Sequence, residues 1–125
     1  MKPPNKKTPD KNAQADTALD KARELAANGQ LNAAIAALAA VEKRHRKNPR
    51  LQGQLARYYL QAGHSEPAAR HGDRALAVAG DNPPVDLLEV RVEAELRLGR
   101  PAPAEKLALR GLQIHRNRAA LYHLL

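Results

Sequence analysis

An all-α chain, folded as a stack of antiparallel helical hairpins, is what this sequence predicts, and three observations carry the prediction. The apolar share of 43% is supplied chiefly by Ala and Leu, with Phe, Trp and Cys absent and only three Tyr in 125 residues. Ala and Leu are strong helix formers, whereas strands draw on β-branched and aromatic side chains. Helix-ending glycines recur at Gly29, Gly63 and Gly99, separated by 34 and 36 residues, a period that marks a repeat. Helix restarts then fall between them at Asn48-Pro49 and Asp81-Asn82-Pro83-Pro84, where Asn caps a helix and Pro is tolerated at its first position.

Residues 1–15 combine Pro, Lys, Asn and Asp with almost nothing apolar. Such a segment cannot offset the entropy of ordering, so it reads as a flexible basic tail ahead of a repeat domain over 16–125. From Asp16, Leu19, Ala22, Leu25 and Ala26 share one helical face, with Asp16 or Thr17 as the cap, and Asn28-Gly29 ends the run. A second helix is expected over 31–47, with Ala34, Leu38 and Val41 inward and the string Glu42-Lys43-Arg44-His45-Arg46-Lys47 at its end, where cations suit the helix dipole. The third spans 49–62 and stops at Gly63. The fourth covers 66–78 and carries Ala68, Ala75 and Leu76.

In the segment 85–98, Val90, Val92, Ala94, Leu96 and Leu98 alternate with charged residues at a strand-like period of two. Its length, its helical neighbours and the closing Leu98-Gly99 favour a helix, because a lone strand has nothing to pair with. A sixth helix follows over 102–115. Asn117 then caps a seventh segment over 118–125.

Aligning the glycines brings other positions into register. Ala34, Ala68 and Ala104 stand five residues after each glycine; Val41, Ala75 and Gly111 stand twelve after. Ala22 and Ala56 lie seven before the first two glycines, Leu25 and Tyr59 four before. Small residues at these points let helices approach closely while larger ones fill the space between hairpins. In this frame the chain resembles the tetratricopeptide repeat (TPR) family over about 15–125, best in the middle repeat at Leu55, Ala56, Tyr59, Gly63, Ala68 and Ala75. The resemblance implies a right-handed solenoid of about three repeats plus a final helix. Arg91 and Glu95 depart from it, since the family prefers Leu and Tyr there, and the third hairpin is expected to pack differently or less tightly.

The inventory for catalysis is thin: one Ser (Ser65), two Thr (Thr8 and Thr17) and no Cys, with no nucleophile–base constellation. The expectation is a protein that is not an enzyme and uses no cofactor. His64 and His71 are seven apart and His115 and His123 eight apart, which is not metal-pair spacing on a helix. All are read as surface or boundary residues, and no metal is expected. Glu89, Glu93 and Glu95 include an i, i+4 pair, but a hard cation needs more oxygen ligands than two. A solvated helix face is the expectation there. No stretch reaches the length of a membrane span, and the default location is the cytoplasm.

A net charge of +8 raises acidic partners in general. The densest cationic cluster, 43–50, admits a phosphate-binding reading, but the aromatic platform that single strands require is missing, and nucleic acid is the lesser expectation.

What the resemblance implies about function is a protein-interaction module, a scaffold or adaptor holding a peptide or partner helix in a concave groove lined by the first helix of each hairpin. Mapped by frame, the groove residues are Leu19, Arg23 and Ala26, then Arg50, Gln54, Arg57 and Gln61, then Asp86, Glu89, Glu93 and Arg97. The groove is then basic in its middle and acidic beyond, suited to a mixed-charge partner in fixed orientation. Gly53 and Arg57 occupy the places of the Lys and Asn that clamp a terminal carboxylate in chaperone-binding members, so that mode is not expected. An alternative is a regulatory or targeting domain of a longer enzyme. The apolar face of Leu121, Tyr122, Leu124 and Leu125 needs a cover, as solenoid ends do, and further chain or a second copy is expected to supply it.

Overall fold

The computed structural model describes residues 11–114, arranged as six helices: α1 (Lys11–Ala27), α2 (Leu31–Glu42), α3 (Pro49–Gln61), α4 (Ser65–Ala79), α5 (Val85–Arg97) and α6 (Pro101–Ile114). A 3-10 turn, Lys43–His45, follows α2. The expected seventh segment and its apolar face, Leu121, Tyr122, Leu124 and Leu125, lie outside the described residues. Successive helices pair as hairpins, α1 with α2, α3 with α4 and α5 with α6, while α3 also touches both α1 and α5. The first helices of the three hairpins therefore stand side by side.

Each hairpin turns on the same device. At Gly63 the chain takes φ +87, a left-handed conformation that costs a residue with a Cβ. The next amide, His64 N, then reaches back to the Tyr59 carbonyl at 2.8 Å while Gly63 N bonds Leu60 at 3.0 Å. This is the Schellman arrangement, in which two otherwise orphaned carbonyls are satisfied. Gln30 N to Leu25 and Arg100 N to Glu95, both 2.8 Å, repeat it at the other two hairpins. The turn delivers Ala34, Ala68 and Ala104 onto the first helix of the same hairpin, where all three are buried, as are Ala22, Ala56 and Ala75. Close helix approach at these alanines is thus the common basis of the repeat.

Side chains within and between the hairpins form three apolar clusters. The first joins α1, α2 and α3 through residues such as Leu19, Leu38, Leu51 and Leu55; the second joins α3, α4 and α5 through Leu60, Ala68, Ala69 and Ala94. The third, Val92 with Ala104 and Ala108, holds α5 to α6.

Four expectations are corrected. First, α1 begins at Lys11, inside the segment whose composition reads as a tail. Ala15 is fully buried there, and Gln14 bonds the His45 ring at 2.9 Å, so tertiary contacts extend the helix. Asp16 and Thr17 are accordingly interior residues, with Thr17 Oγ1 donating to the Ala13 carbonyl at 2.9 Å. Second, α2 stops at Glu42 and the cationic string forms a tight turn, closed by Asn48 N on the His45 carbonyl at 3.0 Å. Third, His71 is buried and not a surface or boundary residue, and His45 within the cationic string is buried as well. Fourth, Glu95 does not belong to a solvated face: it is 3% exposed.

Glu95 is buried because it pairs with Arg91 one turn earlier at 2.9 Å, both side chains being enclosed. Arg91 Nε also donates to Asp73 of α4 at 2.7 Å, and Arg100 stands 3.7 Å from the second Glu95 oxygen. The helix opposite makes room with Gly72: a Cβ there would lie 2.4 Å from Arg91 Cδ. The third hairpin thus packs against α4 through an ion pair set against a glycine, a packing different from the repeat pattern as the departure at Arg91 and Glu95 implied.

Candidate functional site

The side-by-side first helices leave a groove of about 290 Å³ between α1, α3 and α5. Leu19 and Arg23 come from α1, and Pro49, Arg50, Gly53, Gln54, Arg57 and Tyr58 from α3. Pro84, Asp86 and Leu87 close it from the α5 side and Ala79 from the end of α4. Asn48 fixes the start of α3 by accepting the Leu51 amide at 3.1 Å, with Pro49 at the first helical position. That cap sets the phase at which Arg50, Gln54 and Arg57 point into the groove.

Leu19, Tyr58 and Leu87 are largely buried and make an apolar floor. The rim is charged and mostly paired. Arg50 meets Asp16 at 2.9 Å, Arg23 meets Asp20 at 3.5 Å, and Arg57 pairs with Asp86 while reaching Gln54 at 3.5 Å. These pairs are well exposed, so each is worth little by itself and can be exchanged for a partner's charge at small cost.

Of the eleven groove residues read from the sequence, Leu19, Arg23, Arg50, Gln54, Arg57 and Asp86 line this cavity together. Ala26 instead packs against the first apolar cluster. Gln61 is exposed and Glu89 half-buried, both outside the cavity lining. Glu93 pairs with Arg97, and Arg97 spends its other nitrogen on the Leu60 carbonyl at 2.8 Å, satisfying the end of α3. The eleven residues nominated from the sequence left out Pro49, Gly53, Tyr58, Ala79, Pro84 and Leu87, which also line the cavity. The prolines had been assigned only as helix starters, and the phase of α5 was blurred by its alternating pattern.

A second polar constellation was not foreseen. His71 Nδ1 lies 2.7 Å from Gln52 Oε1, Gln52 Nε2 donates to Glu42 at 2.7 Å, and Arg74 donates to the same carboxylate oxygen at 3.0 Å. Since Gln52 uses its amide nitrogen on Glu42, its oxygen accepts and His71 carries the proton on Nδ1. The ring also stacks on Tyr59 at 5.4 Å between centroids. Burial pulls His71 below its ordinary range, helped by the Arg74 charge and opposed by Glu42. Burial pushes Glu42 upward, but the Gln52 hydrogen bond and the Arg74 charge outweigh it, leaving the carboxyl below its usual range. This network ties α2, α3 and α4 together; it holds no nucleophile.

Among the described residues no group of three metal-ligating side chains converges, and no helix is long and apolar enough to cross a membrane.

Helical hairpins of this length, turned on repeated glycines around a groove of first helices, define a TPR-type stack. Solved structures bear this out. The first TPR domain of Spaghetti (RPAP3), bound to the HSP90 peptide SRMEEVD, superimposes with a TM-score of 0.81 at 19% identity, covering 89% of this chain and 86% of that one. The second TPR domain of human RPAP3, in complex with the HSP70 peptide SGPTIEEVD, gives 0.85 at 19% identity, covering 93% and 95%. No protein-family model and no curated protein sequence matches the chain. At such identity the likeness is one of fold.

Proposed function

We propose that this chain is a protein-interaction module that holds a short peptide or partner helix in the groove between α1, α3 and α5, working as a scaffold or adaptor by binding and not by catalysis. The observation that carries the reading is the composition of that groove: an apolar floor of Leu19, Tyr58 and Leu87 beneath a rim of exchangeable Arg–Asp pairs. Apolar burial supplies most of the affinity in such a site and the charges orient the partner. The two solved relatives in fold each carry a peptide, which supports the same class of ligand here.

The ligand chemistry differs from theirs in one respect. Gly53 presents no side chain and Arg57 shares its charge with Asp86 and Gln54, so a free terminal carboxylate meets one exchangeable cation and not a two-residue clamp at these positions. A mixed-charge peptide with an aliphatic or aromatic anchor suits the groove better.

The test is selection of a random dodecapeptide phage library on the full chain, followed by isothermal titration of the enriched peptide. Charge reversal at Arg50 and Arg57 (Arg50→Glu with Arg57→Glu) is expected to weaken binding about tenfold or more. Amidation of the peptide's C-terminus should leave the affinity unchanged. Failure to enrich any peptide, or an affinity indifferent to the double reversal, would remove the groove reading.

A further inference from the structure

The turn between α2 and α3 concentrates charge in a way the groove does not. Lys43, Arg44, Arg46 and Lys47 are all exposed, and none forms an ion pair with a carboxylate among the described residues. In contrast, Arg23, Arg50 and Arg57 in the groove are each matched with an aspartate. The turn is held in place by the buried His45 at its centre, 4% exposed and bonded to Gln14, and by the Asn48 amide on the His45 carbonyl. Four exposed cations outside any ion pair among the described residues are thereby presented from a fixed backbone, Arg46 acting only at longer range on Glu42.

Their position relative to the groove gives them a role. Arg44 and Lys47 line an open depression of about 480 Å³ that also takes in Asn48 and Asp16 and shares Pro49 and Arg50 with the groove itself. The N-terminus of α3 opens here and adds its positive dipole end. A peptide lying along α3 and leaving the groove past Arg50 runs directly onto this turn. Arg50 and Arg57 stand seven residues apart on the helix, about 10 Å, so the groove itself takes about three extended residues before the peptide reaches the turn at Lys47.

We propose that the Lys43–Lys47 turn is an accessory site for a run of acidic residues flanking the segment held in the groove; this rests on the groove reading. An acidic peptide fits better than a nucleic acid. Asp16 stands within the depression and Asp20 and Asp86 beside the groove, so a regular phosphate ladder meets interrupting carboxylates, whereas a flexible peptide can place its charges on the turn alone. No exposed Tyr, Phe or Trp ring among the described residues is available for base stacking.

The experiment uses the full chain and the groove peptide obtained by selection, made alone and with five glutamates joined through a three-residue Gly-Ser spacer to one terminus or the other. Fluorescence anisotropy is read at low and high salt against wild type, the Lys43→Gln, Arg44→Gln, Arg46→Gln, Lys47→Gln variant and the Arg50→Glu, Arg57→Glu variant. Glutamates on one terminus only are expected to tighten binding about tenfold at low salt, from four exposed pairs of modest individual worth. That gain should vanish at high salt and in the glutamine variant, which keeps the affinity for the untailed peptide. Equal effects at both termini, no gain, or equal loss for tailed and untailed peptides overturns the proposal.

If no groove peptide is found, the groove reading has failed, and octaglutamate is titrated into the nitrogen-15-labelled chain. Amide shifts centred on 43–47 would sustain the acidic site; their absence sinks it. A twenty-base-pair DNA duplex that binds through the same four cations more tightly than octaglutamate at equal salt would reassign the surface to nucleic acid.

Discussion

Position 72 shows how much one atom can decide. Gly72 lies inside α4, where alanine would ordinarily gain about 1 kcal/mol in helix propensity. Here an added Cβ would meet Arg91 at Cδ and at Cγ, 2.4 and 2.9 Å away, in the middle of a side chain that is itself 8% exposed. Gly72→Ala is therefore expected to destabilise the chain by about 1–2 kcal/mol net, the overpacking cost exceeding the propensity gain. In an Arg91→Ala, Glu95→Ala background the same change should become neutral or stabilising. Urea denaturation of the four corner variants measures the coupling. Glu95→Ala alone should cost about 3 kcal/mol, because it removes the enclosed partner of a buried guanidinium and leaves it only the exposed Asp73. Arg91 Nη1 already lacks a hydrogen-bond partner, so replacing the pair by Met and Leu is expected to be tolerated, which marks the pair as a packing solution and not a source of surplus stability.

At the scale of elements, the hydrogen-bonded chain from His71 through Gln52 to Glu42 pins three helices and makes their packing sensitive to acid. The sign follows from both shifts. His71 is held below its usual 6.5 by burial first and by Arg74, so the unfolded chain takes up a proton before the folded one does, and stability falls as pH drops below about 6.5. Glu42, also lowered despite its burial, adds its loss further down, as pH falls through the carboxylate range. Thermal melts are expected to show a decline from about pH 7 to pH 5.5, within the window set by the imidazole. His71→Phe, which keeps a ring against Tyr59 but cannot titrate, should start less stable at neutral pH because Gln52 loses its donor. It should also flatten that slope. An unchanged slope would mean the network does not carry the pH dependence.

For the whole molecule, the distribution of apolar contact predicts a gradient of stability along the stack. The first cluster joins three helices and includes Leu38, Leu51 and Leu55, all fully buried, whereas α6 is held through Val92, Ala104 and Ala108. In a quasi-linear stack, each hairpin is stabilised by its neighbours. Amides of α6 are expected to exchange hydrogen faster than those of α3 by native-state exchange, opening as a local unit. Uniform protection from α3 to α6 would show instead that the stack unfolds as one body. The groove sits at the better-packed end, between α1 and α3 and the start of α5, which suits a binding surface that needs a rigid floor.

The sequence by itself determined the hairpin architecture, because its signals are local: a glycine that alone relaxes at positive φ, an Asn-Pro start, and alanines recurring where helices touch. The repeat frame carried by the family resemblance also nominated Leu19, Arg23, Arg50, Gln54, Arg57 and Asp86, six residues that line one cavity. Tertiary structure alone decided what depends on distant partners. Residues 11–15 are helical because Ala15 and Gln14 find α2 and His45; Arg91 and Glu95 are buried because Gly72 stands opposite; His71 is enclosed because Gln52 meets its proton. Charge next to charge in a sequence reads as solvent-facing, and only the neighbour across the interface reveals which of those charges has been taken inside and which, on the turn between α2 and α3, has been left without a match.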